Sequence, residues 1–138
     1  MNAPKKVSVI LFYDSQGNIL LQDRRTRSKW GEEYGFFGGG GEDGEFPDET
    51  LRRELKEELG LETEFELFKR YDFTTQRGEI IERSVYLASM PDVSRLQCRE
   101  GALAPRTFKD SFDLKMIPGF NELLREIYEY LKREHRTI

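Results

Sequence analysis

The chain has 138 residues, a length that suits one domain over 1–138. Its 37% hydrophobic content, with ten Phe, six Tyr and one Trp, is enough apolar surface to close a core despite 35% charged residues. Lys and Arg total 22 against 26 Asp and Glu, a formal charge of -4, and no basic block offers a track for a long nucleic acid. No apolar run approaches the roughly 18 residues needed to span a bilayer, and the single Cys98 cannot make an internal disulfide and has no neighbouring histidine to activate it. The expectation is a soluble, cytoplasmic protein without nucleic-acid or membrane partners, with a homodimer as the commonest form of self-association.

In chain order, the apolar run Val7 to Tyr13 ends before any small-residue cleavage site and reads as a strand. With Asn18 to Asp23 it frames Asp14-Ser15-Gln16-Gly17, turn chemistry that predicts a hairpin. A charged, glycine-containing loop from Arg24 to Gly35 leads to Phe36-Phe37 and four consecutive glycines, Gly38 to Gly41. Alternation predicts that at least one of Phe36 and Phe37 is a core residue.

Pro47 suits a first helical turn, Asp48 and Glu49 favour its positive end, and Gly60 supplies a stop, so 47–59 is predicted helical. Leu51, Leu55 and Leu59 give that helix its buried stripe. Thr63 to Phe73 and Glu79 to Met90 read as strands, followed by an irregular stretch with one short strand near Arg106 to Phe108. Phe120, Leu123, Leu124, Ile127, Tyr128 and Leu131 sit at helical spacing, predicting a terminal amphipathic helix over one face of the sheet. Hairpins with two separated helices indicate an α+β or α/β/α layered domain.

Chemistry concentrates on the first helix. Glu54, Glu57 and Glu58, related by i, i+3 and i+4, place three carboxylates in one arc. Such like charges repel by roughly 0.2 to 0.5 kcal/mol per pair, an arrangement a hard cation relieves, and oxygen ligands favour Mg²⁺ or Mn²⁺ over Zn²⁺. Taken alone, three glutamates on a helix are an ordinary solvated face. Their context is not ordinary: Gly39, then Glu45, then Arg53-Glu54-Leu55-Lys56-Glu57-Glu58-Leu59-Gly60-Leu61 complete the pattern G-x5-E-x7-R-E-U-x-E-E-x-G-U, U being bulky aliphatic. Its seven fixed letters match by chance on the order of 10⁻⁸ at a given start.

Over Gly39 to Leu61 the chain resembles the Nudix hydrolases, including their MutT-like members, whose defining box has this pattern. The resemblance implies a mixed sheet between helices and Mg²⁺-dependent hydrolysis of a diphosphate linkage in a small nucleotide or related diphosphate. A nucleoside triphosphate cleaved to monophosphate and pyrophosphate leads, with nucleotide sugars and dinucleoside polyphosphates next. Metal ligands would be Gly38 through its carbonyl, with Glu54, Glu57 and Glu58. Arg53 would orient a box glutamate, while Glu45 would support the loop beneath the first helical turn. Phe37 stands where many relatives have proline, and Glu42-Asp43 replaces hydrophobic loop residues.

For the base that activates water, Glu54 is one candidate. Glu100, in a Glu100-Gly101 pair resembling one that some relatives carry near the metals, is another candidate, also as a ligand; Glu79 and Glu82 are further alternatives. Arg24, Arg25, Arg27 and Lys29 are candidates for phosphate contact, and Trp30, Tyr34, Phe36 or Phe37 for stacking on a base. Against the hydrolase stand a ligand-sensing or protein-binding module of the same fold, an isoprenoid diphosphate isomerase needing a catalytic cysteine in the sheet, and an RNA-decapping enzyme. The intact box, the irregular surroundings of Cys98, and the acidic charge speak against each in turn.

Overall fold

The structure, a computed structural model, describes residues 5–28 and 31–138. Strand β1 (Lys5–Tyr13) turns into β2 (Asn18–Asp23) as the hairpin pattern predicts. Asp14 builds that turn, its carboxylate accepting the backbone N–H of Gln16 and of Asn18 at 2.9 Å each. Two short strands follow, β3 (Tyr34–Gly35) and β4 (Phe37–Gly40), then helix α1 (Pro47–Leu59). The Glu49 side chain accepts from the Phe46 N–H at 3.1 Å, closing the first turn, and Gly60 ends the helix in the left-handed region at φ 63°.

The second half supplies β5 (Glu66–Thr74), β6 (Ile80–Ser89), a single 3-10 turn at Val93–Arg95, β7 (Ala102–Thr107), α2 (Phe108–Ser111) and α3 (Phe120–Arg133). β5 starts later than Thr63. The strand expected near Arg106 to Phe108 is longer and starts earlier, and Phe108 opens a helical turn because the Thr107 hydroxyl caps it, accepting the Asp110 N–H at 3.1 Å.

All seven strands form one mixed sheet with β1 at its centre. β1 runs parallel to β6 along its whole length, Lys5 opposite Ile81 to Tyr13 opposite Ser89. Its other edge is shared. β4 pairs antiparallel with Val7 to Ile10, while β2 takes only Phe12 and Tyr13 before diverging to pair with β7 and β3. The glycine strand is thereby laid beside the centre of the sheet.

Each face of the sheet is covered, the α/β/α layering expected. On one, Leu51, Leu55 and Leu59 of α1 pack with Ile10, Phe12, Leu20, Phe37, Tyr86 and Ala88. On the other, Phe120, Leu123, Leu124, Ile127 and Leu131 of α3 pack with Val9, Leu11, Val85 and Leu87. Burial of aliphatic and aromatic groups on both faces stabilises the fold by roughly 1.5–3 kcal/mol per side chain. Polar ties fix α1 against the sheet: the Ser8 hydroxyl donates to the Pro47 carbonyl at 2.9 Å, and the Tyr86 hydroxyl donates to Asp48 at 2.6 Å. Among the described residues, no helix is long and apolar enough to cross a membrane.

Phe36 and Phe37 are both core residues, one on each face, because both faces are covered. Phe36 is 3% exposed and stacked on Phe120 at 4.5 Å between ring centroids. Its expected part in stacking on a substrate base is therefore corrected: its surface is already spent on the core.

Candidate active site

The site forms where the glycine strand passes under α1. Gly38 has φ 139°, and a Cβ there would lie 2.0 Å from the Ser8 carbonyl oxygen, so only glycine fits. A Cβ on Gly39 would lie 2.5 Å from the Glu54 carboxylate carbon. These two residues let bare backbone meet the carboxylates of α1, and the Gly38 N–H donates to Glu58 Oε2 at 3.3 Å.

Arg53 gathers the loop, strand and helix into one unit. It donates to both Glu45 oxygens, from Nε at 2.8 Å and Nη2 at 3.0 Å, and from Nη2 to the Gly40 carbonyl at 2.9 Å. Nη1 donates to Glu54 at 3.1 Å and Glu57 at 3.3 Å, with Glu42 at 3.7 Å. Glu45 also accepts from the Thr50 hydroxyl at 2.7 Å and the Glu42 N–H at 3.0 Å. Hydrogen bonds from the Arg53 guanidinium, then from the Glu42 backbone and Thr50, hold the Glu45 carboxyl down at about 2.

The other carboxylates are held the opposite way. Glu58 is only 4% exposed. Burial, reinforced by repulsion from Glu54 and Glu100, pushes its carboxyl up to about 8, against the pull of the Gly38 N–H. Burial also raises Glu54, with Arg53 opposing and Glu57 and Glu100 adding to the rise. Glu57 is more than half exposed at the rim.

Glu100 belongs to this group, as its mutual repulsion with Glu54 and Glu58 requires. The loop after β6 places it there by completing the end of α1: the Gln97 N–H donates to Leu59 O at 3.0 Å and the Arg99 N–H to Glu58 O at 2.8 Å. From the other side, the Gln22 side chain donates to the Glu100 carbonyl at 3.0 Å. The Cys98 thiol donates to the same oxygen at 3.3 Å, and burial raises its pKa, which disfavours a nucleophilic thiolate. Glu79 and Glu82 are engaged elsewhere, with Lys5 at 3.0 Å and Arg70 at 3.9 Å.

Oxygen donors around a bare backbone strand fit a divalent hard cation. Among the described residues, no three acidic, His or Cys groups form a ready-made metal cage. Arg53 Nη1 engages one oxygen each of Glu54 and Glu57, and a Mg²⁺ keeps water and substrate phosphates among its ligands, so a closed cage of protein groups is not needed to hold it.

The proposed substrate residues divide. Arg24 donates to Gln22 Oε1 at 3.0 Å and stands 3.9 Å from the buried Glu32, so through Gln22 it is tied to the loop that carries Glu100. Arg25 is held by Asp23 at 2.6 Å and lies over the ring of the buried Tyr34. Arg27 is exposed. Lys29 and Trp30 lie outside the described residues. Among the buried polar side chains that the sequence does not point to are Gln22, which links Arg24 to Glu100, and Arg83 on β6. Gln22 carries no local signal, whereas a charged residue inside the apolar run of β6 is one.

The family model described as NUDIX domain matches residues 3–117. No curated protein matches the chain. Among solved structures, the ORF135 protein of E. coli is 28% identical with a TM-score of 0.73, covering 93% of this chain and 90% of its own. A MutT Nudix hydrolase of Burkholderia pseudomallei is 23% identical with a TM-score of 0.71, covering 91% and 98%. An Ap4A hydrolase of C. elegans is 15% identical with a TM-score of 0.69, covering 94% and 98%; these last two show the fold alone. With a match that spans most of its length, the chain belongs to the NUDIX domain family, and its α+β layering is that of the fold.

Proposed function

We propose that the protein hydrolyses a nucleoside triphosphate to nucleoside monophosphate and pyrophosphate in a Mg²⁺-dependent reaction in the cytosol. The observation that carries the reading is the convergence of Glu54, Glu58 and Glu100 beside the Gly38 to Gly40 backbone, with the Glu58 carboxyl raised to about 8 by burial and its acidic neighbours. Carboxyls crowded in this way are suited to a cation, which would take the place of the proton that burial keeps on Glu58.

Glu54, Glu57, Glu58 and the Gly38 carbonyl would hold Mg²⁺, with Mn²⁺ as the substitute and Glu100 as a further ligand. Bound there, the metal supplies Lewis-acid stabilisation of phosphate oxygens and lowers the pKa of water. Arg53 keeps Glu54 and Glu57 aimed at the glycine strand, and Glu45 fixes Arg53. Glu100, or Glu54 in its place, takes the proton from the attacking water. Arg24, with Arg25 and Arg27 nearby, neutralises the outer phosphates.

Product analysis tests this on nucleoside triphosphates, nucleotide sugars and dinucleoside polyphosphates, with Mg²⁺ and with a chelator. Chelator-sensitive release of monophosphate and pyrophosphate from a triphosphate is the expected result. Turnover confined to sugars or dinucleoside compounds would move the substrate class, and silence on all three would overturn the reading.

A further inference from the structure

Arg83 is a buried charge that the proposed reaction leaves without work. It sits in β6 on the face covered by α3, and it is 6% exposed. Nη1 donates to the Tyr71 hydroxyl at 2.8 Å, and the guanidinium carbon lies 4.3 Å from the Phe73 ring centre and 4.5 Å from that of Phe120. Nε is buried without a hydrogen-bond partner, and no ion pair forms to Arg83 among the described residues; the adjacent Glu82 pairs with Arg70 instead. An orphaned buried donor and an unpaired buried charge are both unfavourable.

The start of α3 makes this arrangement more electropositive. Gly119 is its N-cap, has no side chain to cap the free N–H groups, and is exposed. A Cβ on Gly119 would stand 3.3 Å from Arg83 Nη1, so the bare glycine leaves the guanidinium approachable from the helix end. A cation beside the positive end of a helix is doubly short of electrons, and one electron-rich partner entering past Gly119 satisfies both.

The surroundings define that partner. Three aromatic side chains, Tyr71, Phe73 and Phe120, border the guanidinium, which suits a planar heteroaromatic ring better than a phosphate. Arg83 is opposite Val7 of β1, and Val7 is opposite Gly40 of the glycine strand. Two strand spacings, roughly 10 Å, therefore separate it from the carboxylate site, a separation comparable with the reach from the phosphates of a nucleotide to its base.

We propose that Arg83 reads the base of the bound nucleotide, donating to two adjacent acceptors, O6 and N7 of guanine or N3 and O2 of cytosine, at the start of α3. A guanidinium offers donors only. Adenine and uracil place a donor beside each acceptor on the corresponding edges, so they present no matching pair. This inference rests on the nucleotide substrate proposed above.

The test is calorimetric binding of GMP, CMP, AMP and UMP to the full chain without metal, for the unmodified protein, Arg83→Met and Arg83→Lys. The expected result is preference for GMP or CMP, which arms the choice between the two bases. In Arg83→Met that preference falls roughly tenfold or more while AMP affinity is unchanged. Arg83→Lys keeps the charge, loses the fork and loses the preference too, and it carries the test if the Met variant fails to fold. An unaltered preference, an equal loss for all four nucleotides, or no binding of any of them overturns the assignment. Hydrolysis with Mg²⁺ separates the two readings: triphosphates cleaved without base preference uphold the reaction and sink Arg83, whereas base-selective binding without hydrolysis does the reverse.

Discussion

Arg53 Nε stands 2.8 Å from Glu45 Oε2, and the same guanidinium spans to Gly40 of the sheet and Glu54 of the helix. One side chain thus sets the distance between the glycine strand and the carboxylates. Lysine offers a point charge and cannot make these contacts together. Arg53→Lys is expected to lower kcat by roughly 10- to 100-fold, the range of residues that orient metal ligands, with KM moving less. Steady-state kinetics over a Mg²⁺ titration check it; unchanged kcat would remove Arg53 from its positioning role. The depressed Glu45 carboxyl adds an acid limit: its support is complete above the ordinary value of 4.5 and is lost as pH falls through about 2.

Glu58 gives the opposite pH dependence. Its carboxyl titrates near 4.5 in the unfolded chain and at about 8 in the fold, so the folded state holds a proton that the unfolded state has released. Its stabilising contribution is full below 4.5 and is lost as pH rises through about 8. In chelator, thermal midpoints are expected to fall between these limits, and Glu58→Gln, which keeps a neutral side chain throughout, is expected to flatten that slope. Mg²⁺ should restore stability at the alkaline end by favouring the charged form. An identical slope in Glu58→Gln would refute the burial account.

Glu57 and Glu58 separate metal binding from folding. Glu57 is largely exposed and Glu58 is buried, so Glu57→Gln should leave the melting temperature unchanged while lowering turnover on the order of a hundredfold or more. Glu58→Gln should match that loss but also change stability, because its carboxyl is buried. Calorimetric Mg²⁺ titration beside kinetics checks the pair, and full activity in both variants would sink the metal assignment.

What the sequence discloses follows the range of the interaction. The hairpin at Asp14, the α1 box and the terminal helix depend on residues a few positions apart, and all three are readable from turn chemistry and periodicity. Burial of Glu58 is not among the sequence expectations, although the residue falls three positions after Leu55 and seven after Leu51, at the edge of the leucine stripe. Glu100 is different: only the resemblance of its Glu100-Gly101 pair singles it out, since its place depends on Gln97 and Arg99 completing the end of α1, a pairing that no local periodicity encodes. Both Phe36 and Phe37 are buried because two separate helices cover the sheet, a fact of tertiary layering that alternation along one strand cannot supply.

Gln22 joins Arg24, proposed to meet the substrate phosphates, to Glu100, the candidate base. It is 2% exposed, accepts from Arg24 Nη1 at 3.0 Å, and donates to the Glu100 carbonyl at 3.0 Å. Gln22→Leu removes both contacts and leaves buried polar groups unsatisfied, a loss of roughly 1–3 kcal/mol in stability, with kcat lowered and KM raised. Gln22→Glu keeps an acceptor for Arg24 but has no donor for the Glu100 carbonyl while ionised. Its expected signature is a preserved KM with lowered kcat. Glu100→Gln supplies the comparison, with reduced kcat and little change in KM if Glu100 acts on the water; if Gln22→Glu instead raises KM and spares kcat, the Gln22 contact to Glu100 has no bearing on the chemical step.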